Sequence, residues 1–454
     1  MKKIIGVLVF CFFQMICIDV YAGEVPTTKS YYVIDSSCCG GEESDPHAVF
    51  GLEASDGYIL LGKALDKNYK EDGFAVKISK NLPNEKLFLH PEEENTYDWS
   101  IVIGDKGKRD GFNSAVILDQ YIFIAGYKET TKNIIDRYLM KVDLKNGDII
   151  WSQSFPSSKN GKSSAFESVV ITNKNGLLLT GVTNSSYDAM EGFKSYGNPT
   201  DGNAFSMYFS NQLLKSKNSP KEPNWEKEYK KVLTGKSIKQ IGNTNEFLIA
   251  SSTDEPTVAK VLKIQEDGTT IWHKKYPQHG ELTDIAITTD GYFLSGHKGS
   301  SKGGIDGSIT KISPNGEVIW NKVYGNPEGG TNSFFKDYIV SNGLIFDECW
   351  SITNMNNEGV VFACGTGIEE CDLLRGQTRR DCEKDPRQTW RSYLVKINFD
   401  GDILWEKTGS FIFPGEEDSL DLASVAAEWI FINSEGQIAS VNDLEFGIGL
   451  EIIE

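Results

Sequence analysis

Tryptophan recurs six times in this chain at the start of a short segment in which apolar and polar residues alternate. Alternation with a period of two is the pattern of a half-buried β-strand. The recurrence therefore predicts a repeat protein built of β-strands, in which one copy of the repeat ends near each of these tryptophans. The six residues are Trp99, Trp151, Trp225, Trp272, Trp320 and Trp405.

Further strand patterns precede the tryptophan segments. One strand ends in Lys-Ile or Lys-Val and runs into an Asn-Gly or Asp-Gly turn, as in the stretch from Lys311 to Trp320. These dipeptides supply the positive φ of a tight hairpin, so this strand and the tryptophan segment are expected to pair antiparallel. An apolar strand such as 291–296 and a fourth strand such as 284–288 lie farther upstream. Four antiparallel strands in a repeat of about 50 residues are typical of a β-propeller blade.

The last repeat lacks one strand. Residues 421–454 supply three strand patterns after Trp405, whereas the β-rich segment 30–36 near the amino terminus has no repeat of its own. We therefore predict a single all-β domain over 23–454, a seven-bladed β-propeller of four-stranded antiparallel blades. Its last blade is closed by the N-terminal strand, which leaves no unpaired edge in the ring.

Two stretches resemble known propellers. The unit from Asp284 to Gly325 looks like the repeat of about 50 residues in secreted bacterial β-propellers. The stretch from Lys141 to Trp151 is similar to the tryptophan-docking repeat of quinoprotein-like propellers, and the resemblance extends to the WD40-like superfamily. It covers nearly the whole mature chain and implies the propeller fold, but propellers host many unrelated functions.

Residues 1–22 have the layout of a secretory signal peptide. Lys2 and Lys3 precede an apolar stretch, and a small-residue cleavage site ends at Ala22. We expect cleavage after Ala22 and a secreted or periplasmic protein without stable membrane insertion. A net charge of -18 disfavours nucleic acid as a partner. We expect a monomer.

Six cysteines remain after this cleavage, and an even number in an exported chain favours disulfide bonds. The candidates are Cys38, Cys39, Cys349, Cys364, Cys371 and Cys382. Cys349 and Cys364 end neighbouring strands and can form a cross-strand bridge, and Cys371 and Cys382 can staple one loop. Cys38 and Cys39 can pair with each other or with that loop.

Four long segments are expected on one face of the propeller. Connections between blades, and those between the second and third strands of a blade, emerge on the same side. These segments are about 182–204, 325–347, 365–392 and 409–421. All six mature cysteines map to this loop-rich face. Loops on a rigid scaffold commonly carry binding sites, although they can also be tolerated insertions.

One of these loops is basic in an otherwise acidic protein. Guanidinium groups present paired donors that suit carboxylate or phosphate. We hypothesise that the loop binds an acidic protein partner or an anionic ligand, with internal ion pairing as the alternative. The arginines are Arg375, Arg379, Arg380, Arg387 and Arg391.

The first residues of the inner strands are expected to face the mouth of the central channel. The candidates are His47, Ser114, Glu167, Asp284 and Glu348. Of these we take His47, Asp284 and Glu348 as binding candidates. A ring of oxygen ligands can hold a cation, whereas a water-solvated polar lining is the alternative.

The sequence contains no Gly-x-Ser-x-Gly elbow, no His-Glu-x-x-His and no Gly-rich phosphate loop. We therefore predict a binding or assembly scaffold that contacts its partner through the loop-rich face, with no catalytic residue and no cofactor. The alternative is a quinone-dependent (PQQ-type) dehydrogenase or another propeller enzyme. Two features resemble the quinone-dependent family, namely the tryptophan-docking turns and the adjacent Cys38 and Cys39. A disulfide between adjacent cysteines lies against the quinone in some alcohol-oxidising members, and the resemblance implies a bound calcium ion beside it. The chain departs from that family in its seven apparent blades and in lacking a calcium-ligand signature.

Overall fold

The structure of the protein is a computed structural model. It describes residues 25–35, 45–65, 71–80, 86–89, 97–105, 107–187, 201–252, 258–299, 304–325, 346–356, 358–367, 390–409, 425–444 and 447–454. Within these residues lie 29 β-strands and one short helix, α1 (Asn211–Leu214). The described chain is therefore all-β, in agreement with the sequence pattern.

The strands are numbered in chain order. Those of the first half are β1 (Thr28–Asp35), β2 (Asp45–Ala54), β3 (Gly57–Leu65), β4 (Glu71–Ser79), β5 (Lys86–Leu89), β6 (Trp99–Ile103), β7 (Asp110–Leu118), β8 (Tyr121–Thr131), β9 (Ile134–Asp143), β10 (Ile149–Phe155), β11 (Ser163–Ile171), β12 (Leu177–Ser185), β13 (Asn203–Phe209) and β14 (Trp225–Tyr229). Those of the second half are β15 (Gly235–Gln240), β16 (Glu246–Ser252), β17 (Ala259–Gln265), β18 (Thr270–Tyr276), β19 (Glu281–Thr288), β20 (Gly291–Gly299), β21 (Ile305–Ile312), β22 (Val318–Tyr324), β23 (Phe346–Asn354), β24 (Val360–Gly367), β25 (Trp390–Ile397), β26 (Ile403–Gly409), β27 (Val425–Ile432), β28 (Ile438–Leu444) and β29 (Gly447–Ile453).

Each recurring tryptophan lies on the last strand of a four-stranded antiparallel unit. The units are β2-β3-β4-β6, β7-β8-β9-β10, β11-β12-β13-β14, β15-β16-β17-β18, β19-β20-β21-β22 and β23-β24-β25-β26. The last two are joined by one parallel pairing between Ile305 and Phe346. Four antiparallel strands per repeat, as the tryptophan and hairpin patterns predict, are consistent with a propeller.

The strand nearest the amino terminus completes a further unit. Strand β1 pairs antiparallel with β29, Tyr32 lying opposite Leu450, and β27, β28 and β29 supply the other three strands. The other edge of β1 pairs in parallel with β5. Strand β5 therefore adds a fifth strand to this sheet.

The first strands of the units, β2, β7, β11, β15, β19, β23 and β27, contact one another in chain order, and β27 also contacts β2. Buried apolar side chains fill the spaces between neighbouring sheets. One such cluster joins Leu60 and Val76 of one sheet to Val441 and Leu450 of another. The hydrophobic core is therefore divided into layers between sheets, as in a propeller.

Four of the six recurring tryptophans pack against a turn of the next sheet. Trp99 is 6 % exposed, and its indole N–H donates to the carbonyl of Leu144 at 3.1 Å. Gly147, in the turn after Leu144, has a φ of 75° and lies against the Trp99 ring, 2.8 Å from where its Cβ would be. Glycine is therefore required both by the conformation and by the contact. The same relation holds for Trp225 with Gly268, Trp272 with Gly316 and Trp320 with Gly401.

We expect Gly147→Ala to reduce the free energy of unfolding by about 1 to 3 kcal/mol more than Gly161→Ala, because only the former adds a methyl group against an indole ring. Both glycines have positive φ, 75° and 73°, but nothing lies within 4 Å of a Cβ on Gly161. Urea denaturation of the two variants measures the difference. Equal losses would mean that the turn does not depend on the ring contact.

We expect deletion of residues 25–35 to destabilise the protein by on the order of 5 kcal/mol. The deletion removes the completely buried side chains of Val33 and Ile34 and exposes the apolar side chains packed against them. It also frees the edge of β29. Thermal unfolding followed by circular dichroism tests this, with Lys29→Ala as a control that changes β1 but leaves it in place. An unchanged melting curve would contradict a closing role for β1.

Candidate functional site

Every first strand shifts register against its second strand at an equivalent place in the part of the chain described, and β11 has a further shift at Ser163/Ala165. The shifts lie at Ala48/Phe50, Phe112/Ser114, Phe166/Ser168, Gly235/Ser237, Leu282/Asp284, Cys349/Ser351 and Ala427/Trp429. Such a bulge inserts one extra residue and re-aims its side chain. The extra residues, which we call the bulge residues, are Val49, Asn113, Glu167, Lys236, Thr283, Trp350 and Glu428.

Five bulge residues line one pocket, which we call the channel pocket. They come from five different sheets, so the pocket lies where the first strands converge. Its lining consists of Val49, Lys236, Ser237, Thr283, Trp350, Glu428 and Trp429, and its cavity volume is about 20 Å³. One repeated local irregularity therefore builds a central site from distant parts of the chain.

Glu428 is the acidic residue of the channel pocket lining, and its pKa is strongly perturbed. Burial raises the pKa of its carboxyl group well above the ordinary value, and the carboxylates of Asp443 and Glu348 raise it further. His47 and Lys63 oppose these effects by favouring the charged form. A carboxyl group with such a pKa is protonated at higher pH than usual and can then donate a hydrogen bond.

Two of the residues selected from the sequence, His47 and Glu348, lie close enough to Glu428 to affect its charge. The Nδ1 atom of His47 lies 2.6 Å from Oδ2 of Asp443 on β28. Glu348 also raises the pKa of His297. The structure therefore brings together one acid–histidine pair and two further carboxyl groups around the channel pocket.

A second charged group lies on the other side of the channel pocket. Lys236 forms an ion pair with Glu281, and Nε2 of His297 lies 3.5 Å from Oε2 of the same carboxylate. Burial alone would raise the pKa of Glu281, but Lys236 and His297 outweigh it and lower the pKa. The imidazole ring of His297 lies edge-on to Trp350, with the ring centroids 5.1 Å apart. These contacts fix Lys236 and Trp350 in place.

Two other sequence candidates connect neighbouring first strands. The buried carboxylate of Asp284 accepts hydrogen bonds from the Ser237 hydroxyl at 2.6 Å and from the Ile352 N–H at 3.2 Å. Ser114 accepts a hydrogen bond from the Val169 N–H at 3.3 Å. Ser168 and Ser351 make the equivalent contacts with the N–H groups of Ile238 and Ile430. The structure thus places Asp284 and Ser114 in links between sheets and outside the pocket lining.

The loop candidates are only partly covered by the described residues. The residues outside them are Arg375, Arg379, Arg380, Arg387, Cys38, Cys39, Cys371 and Cys382, together with the signal-peptide segment 1–22. Arg391 is 3 % exposed and donates to the carbonyl of Trp390 at 2.7 Å. Cys349 and Cys364 form a disulfide between β23 and β24. None of the described helices has the length and hydropathy needed to cross a membrane.

Structural comparison adds to this picture. No family model matches the sequence, and no curated protein sequence is similar to it. An ancestral GH74 enzyme has a similar structure, with a TM-score of 0.50 and 10 % identity over 91 % of this chain and 48 % of that one. Hydrazine synthase of Kuenenia stuttgartiensis (TM-score 0.43, 10 % identity, 73 % and 76 % coverage) and a europium-containing methanol dehydrogenase (0.38, 8 %, 90 % and 93 %) are also similar.

The chain has a β-propeller fold. At these identities the likeness concerns the fold alone, and the chain spans about half the length of the GH74 enzyme that it matches. Activities of these proteins therefore say nothing about the channel pocket.

None of the seven residues that line the channel pocket was among the sequence candidates. The sequence candidates fall at different positions relative to the bulge. They are His47 and Glu348, two residues before it, Glu167, at the bulge itself, and Ser114 and Asp284, one residue after it. A bulge is defined by its pairing with a partner strand. Glu428 was the available signal in its strand, because it is the one charged residue in the otherwise apolar run of β27.

We expect Glu428→Gln to become more stable relative to the wild type as pH rises. The pKa of Glu428 in the folded state lies above the ordinary value of 4.5, so its stabilising contribution is complete below pH 4.5 and is lost as pH rises through the folded-state pKa. Between pH 4.5 and the folded-state pKa, the free energy of unfolding of Glu428→Gln minus that of the wild type should grow by about 1 kcal/mol per pH unit. Urea denaturation at several pH values measures it, with Glu317→Gln at an exposed site as the control. A pH-independent difference would mean that Glu428 is ionised normally in the fold.

Proposed function

We propose that this chain is an exported binding or assembly scaffold that holds a polar ligand, or a side chain of a partner, in the channel pocket. In this proposal residues 23–454 form a single seven-bladed β-propeller closed by the N-terminal strand, secreted or periplasmic after removal of residues 1–22. The cyclic contacts among the first strands and the pairing of β1 with β29 support the blade number and the closure.

The observation that carries the proposal is the convergence of bulge residues from five sheets on one pocket. Residues that only complete a core would need no shared opening to solvent. A pocket with a few convergent polar groups and a perturbed acid is a common form of ligand site. The rigid first strands hold these groups at fixed separations, and such pre-organisation favours binding.

The lining indicates the chemistry of the ligand. A protonated Glu428 both donates and accepts hydrogen bonds, and the hydroxyl group of Thr283 does the same. Trp350 adds an aromatic surface. Lys236 is engaged by Glu281, which reduces its attraction for a free anion. The channel pocket therefore suits one neutral hydroxyl or amide group of a ligand or of a partner side chain, because its cavity volume is about 20 Å³.

The basic loop is proposed as a second contact on the same face. It leaves β24 at Gly367 and returns at Trp390, and Glu348 lies opposite Gly365 on the neighbouring strand. Both ends of the loop therefore belong to the unit that contributes Trp350 to the channel pocket. An acidic partner fits the arginines of 365–392, as their guanidinium groups favour carboxylate or phosphate.

A thermal-shift screen with neutral saccharides, polyols and short peptide amides tests the proposal, followed by calorimetry of any ligand found. We expect Glu428→Gln to retain binding at pH 7 and Glu428→Leu to weaken it about tenfold, since leucine leaves a ligand group without a hydrogen bond. Wild-type affinity should fall as pH rises through the pKa of Glu428, whereas that of Glu428→Gln should not. Equal affinities in all three proteins would refute the proposed site.

Quinone-dependent dehydrogenation is the alternative function, and the fold is of the kind that such enzymes use. The residues that the structure describes contain no group of three or more His, Cys, Asp or Glu side chains placed to hold a metal ion. They therefore do not supply the calcium site that the quinone requires in this interpretation, and no catalytic step is derived from it. An absorbance change of the purified protein on addition of quinone and calcium would favour this alternative.

A further inference from the structure

The residue opposite each bulge is sterically constrained. In the part of the chain described, the first-strand residue that precedes a bulge pairs with one residue of the second strand. In four units that second-strand residue is glycine, and a Cβ on it would collide with a backbone carbonyl group of the first strand. Glycine therefore lets the two backbones approach closely beside the bulge. The four residues are Gly62, Gly126, Gly181 and Gly296.

The three other units have a side chain at this position, and each of these side chains forms a bond. The hydroxyl group of Ser251 donates a hydrogen bond to the carbonyl of Thr234, just before β15. Nδ2 of Asn442 donates to a hydroxyl group on β1 at 2.9 Å. Cys364 forms the disulfide with Cys349. In these units a bond from the side chain takes the place of the close approach of two backbones.

The disulfide lies directly beside the channel pocket. Cys349 immediately precedes Trp350, the bulge residue of its strand, and both cysteines of the disulfide are completely buried. The carbonyl of Cys349 accepts a hydrogen bond from the hydroxyl group of Thr283 at 3.0 Å. Trp350 and Thr283 both line the pocket. The position of Cys349 therefore affects two lining residues that come from different strands.

Hydrogen bonds hold the same strand on the other side of the bulge. The Ser351 hydroxyl group and the Ile352 N–H both donate to Oδ2 of Asp284, each at 3.2 Å. Trp350 thus projects from a short segment with a covalent bond before it and a buried carboxylate after it. A side chain keeps one direction when the segment that carries it is fixed at both ends.

We propose that the disulfide between Cys349 and Cys364 positions the channel pocket. The bond does for this bulge what glycine does for four others, and it directs Trp350 into the pocket. Without the bond, the Cβ of residue 364 remains, so the two strands separate beside the bulge and Trp350 turns away. The role in binding rests on the proposed function of the channel pocket, whereas the direction of Trp350 can be measured without a ligand.

The bond also makes the pocket depend on the redox conditions under which the chain folds. Its formation transfers two electrons and two protons from the thiol groups of Cys349 and Cys364 to a disulfide oxidant, by thiol–disulfide exchange. Such bonds form in oxidising compartments outside the cytoplasm. Because both cysteines are buried in the folded protein, a reductant reaches them only while the chain folds or unfolds. A chain that folds in an oxidising compartment therefore has the formed pocket, and one that folds in a reducing compartment lacks it.

Two double variants separate the covalent bond from the close approach of the backbones. Cys349→Ala with Cys364→Gly, the glycine pair, copies Ala48 and Gly62 of β2 and β3, so it should hold the bulge without a disulfide. Cys349→Ala with Cys364→Ala, the alanine pair, lacks the bond but keeps a Cβ on residue 364. The two variants differ by one methyl group, so their difference reports on the position opposite the bulge alone.

The indole N–H signal of Trp350 in nuclear magnetic resonance, identified with Trp350→Phe, measures the direction of this ring. The signal of Trp99, which lies in a different sheet, is the control for folding. We expect the alanine pair to move the Trp350 signal and to leave that of Trp99 unchanged. The glycine pair should leave both signals at their wild-type positions.

Refolding tests the redox dependence. The wild type and the glycine pair are unfolded in urea with dithiothreitol and refolded with the reductant present. The Trp350 signal of the wild type should then move to its position in the alanine pair, and that of the glycine pair should not move. Both proteins keep the other cysteines, so reduction at those residues is common to both. A ligand found in the thermal-shift screen should bind the alanine pair about tenfold more weakly than the glycine pair.

Three results would overturn the proposal. These are a Trp350 signal at the wild-type position in the alanine pair, the same result for the wild type refolded with reductant, and displacement of this signal in the glycine pair. The last of these decides the matter even if the alanine pair does not fold. If the screen finds no ligand, the proposed function fails, and the Trp350 signals still decide the role of the disulfide.

Discussion

The contact between an indole ring of one sheet and a glycine turn of the next is the interaction on which the arrangement of this protein depends. A four-stranded antiparallel sheet has two apolar faces and cannot bury both alone. The ring of Trp99 against Gly147 fixes how far and at what angle the next sheet lies. The same contact recurs at Trp225, Trp272 and Trp320, so four neighbouring pairs of sheets are placed by the same short-range chemistry. Stacking in register then buries the aliphatic layers between the sheets.

Once the sheets are stacked, their first strands meet. Two neighbouring positions in each of those strands then have different roles. The bulge residue turns toward the channel, as Trp350 and Glu428 do. The residue after the bulge is often a serine or aspartate that accepts a hydrogen bond from the next first strand, as Ser114 and Asp284 do. Buried polar groups are stabilised only when paired, so this second position binds the sheets together. The pocket and the links between sheets therefore come from adjacent residues of the same strands.

Much of the fold could be predicted because its signals are local. Turn dipeptides such as Asn146-Gly147 and strand alternation depend on neighbours in sequence, and so does the outer position of Trp320. The site was predicted less completely. His47 and Glu348 were selected from the sequence and lie near Glu428, whereas Asp284 was selected on the same ground and is buried in a link between strands. Position along a strand does not distinguish these cases, since the bulge changes which side chains face inward.

The sequence by itself determined the strand repeat, the turn chemistry and the need of β27 to β29 for a fourth strand. These follow from propensity and periodicity over a few residues. Only the tertiary structure decided that Lys236, Trp350 and Glu428 share a pocket, because they lie in different repeats and meet where the first strands converge. The raised pKa of Glu428 depends on the same convergence of strands. Glu428 is buried, and lies near the carboxylates of Asp443 and Glu348, only in the assembled fold. Electrostatics and cavities depend on distances in space, and these distances are set by packing.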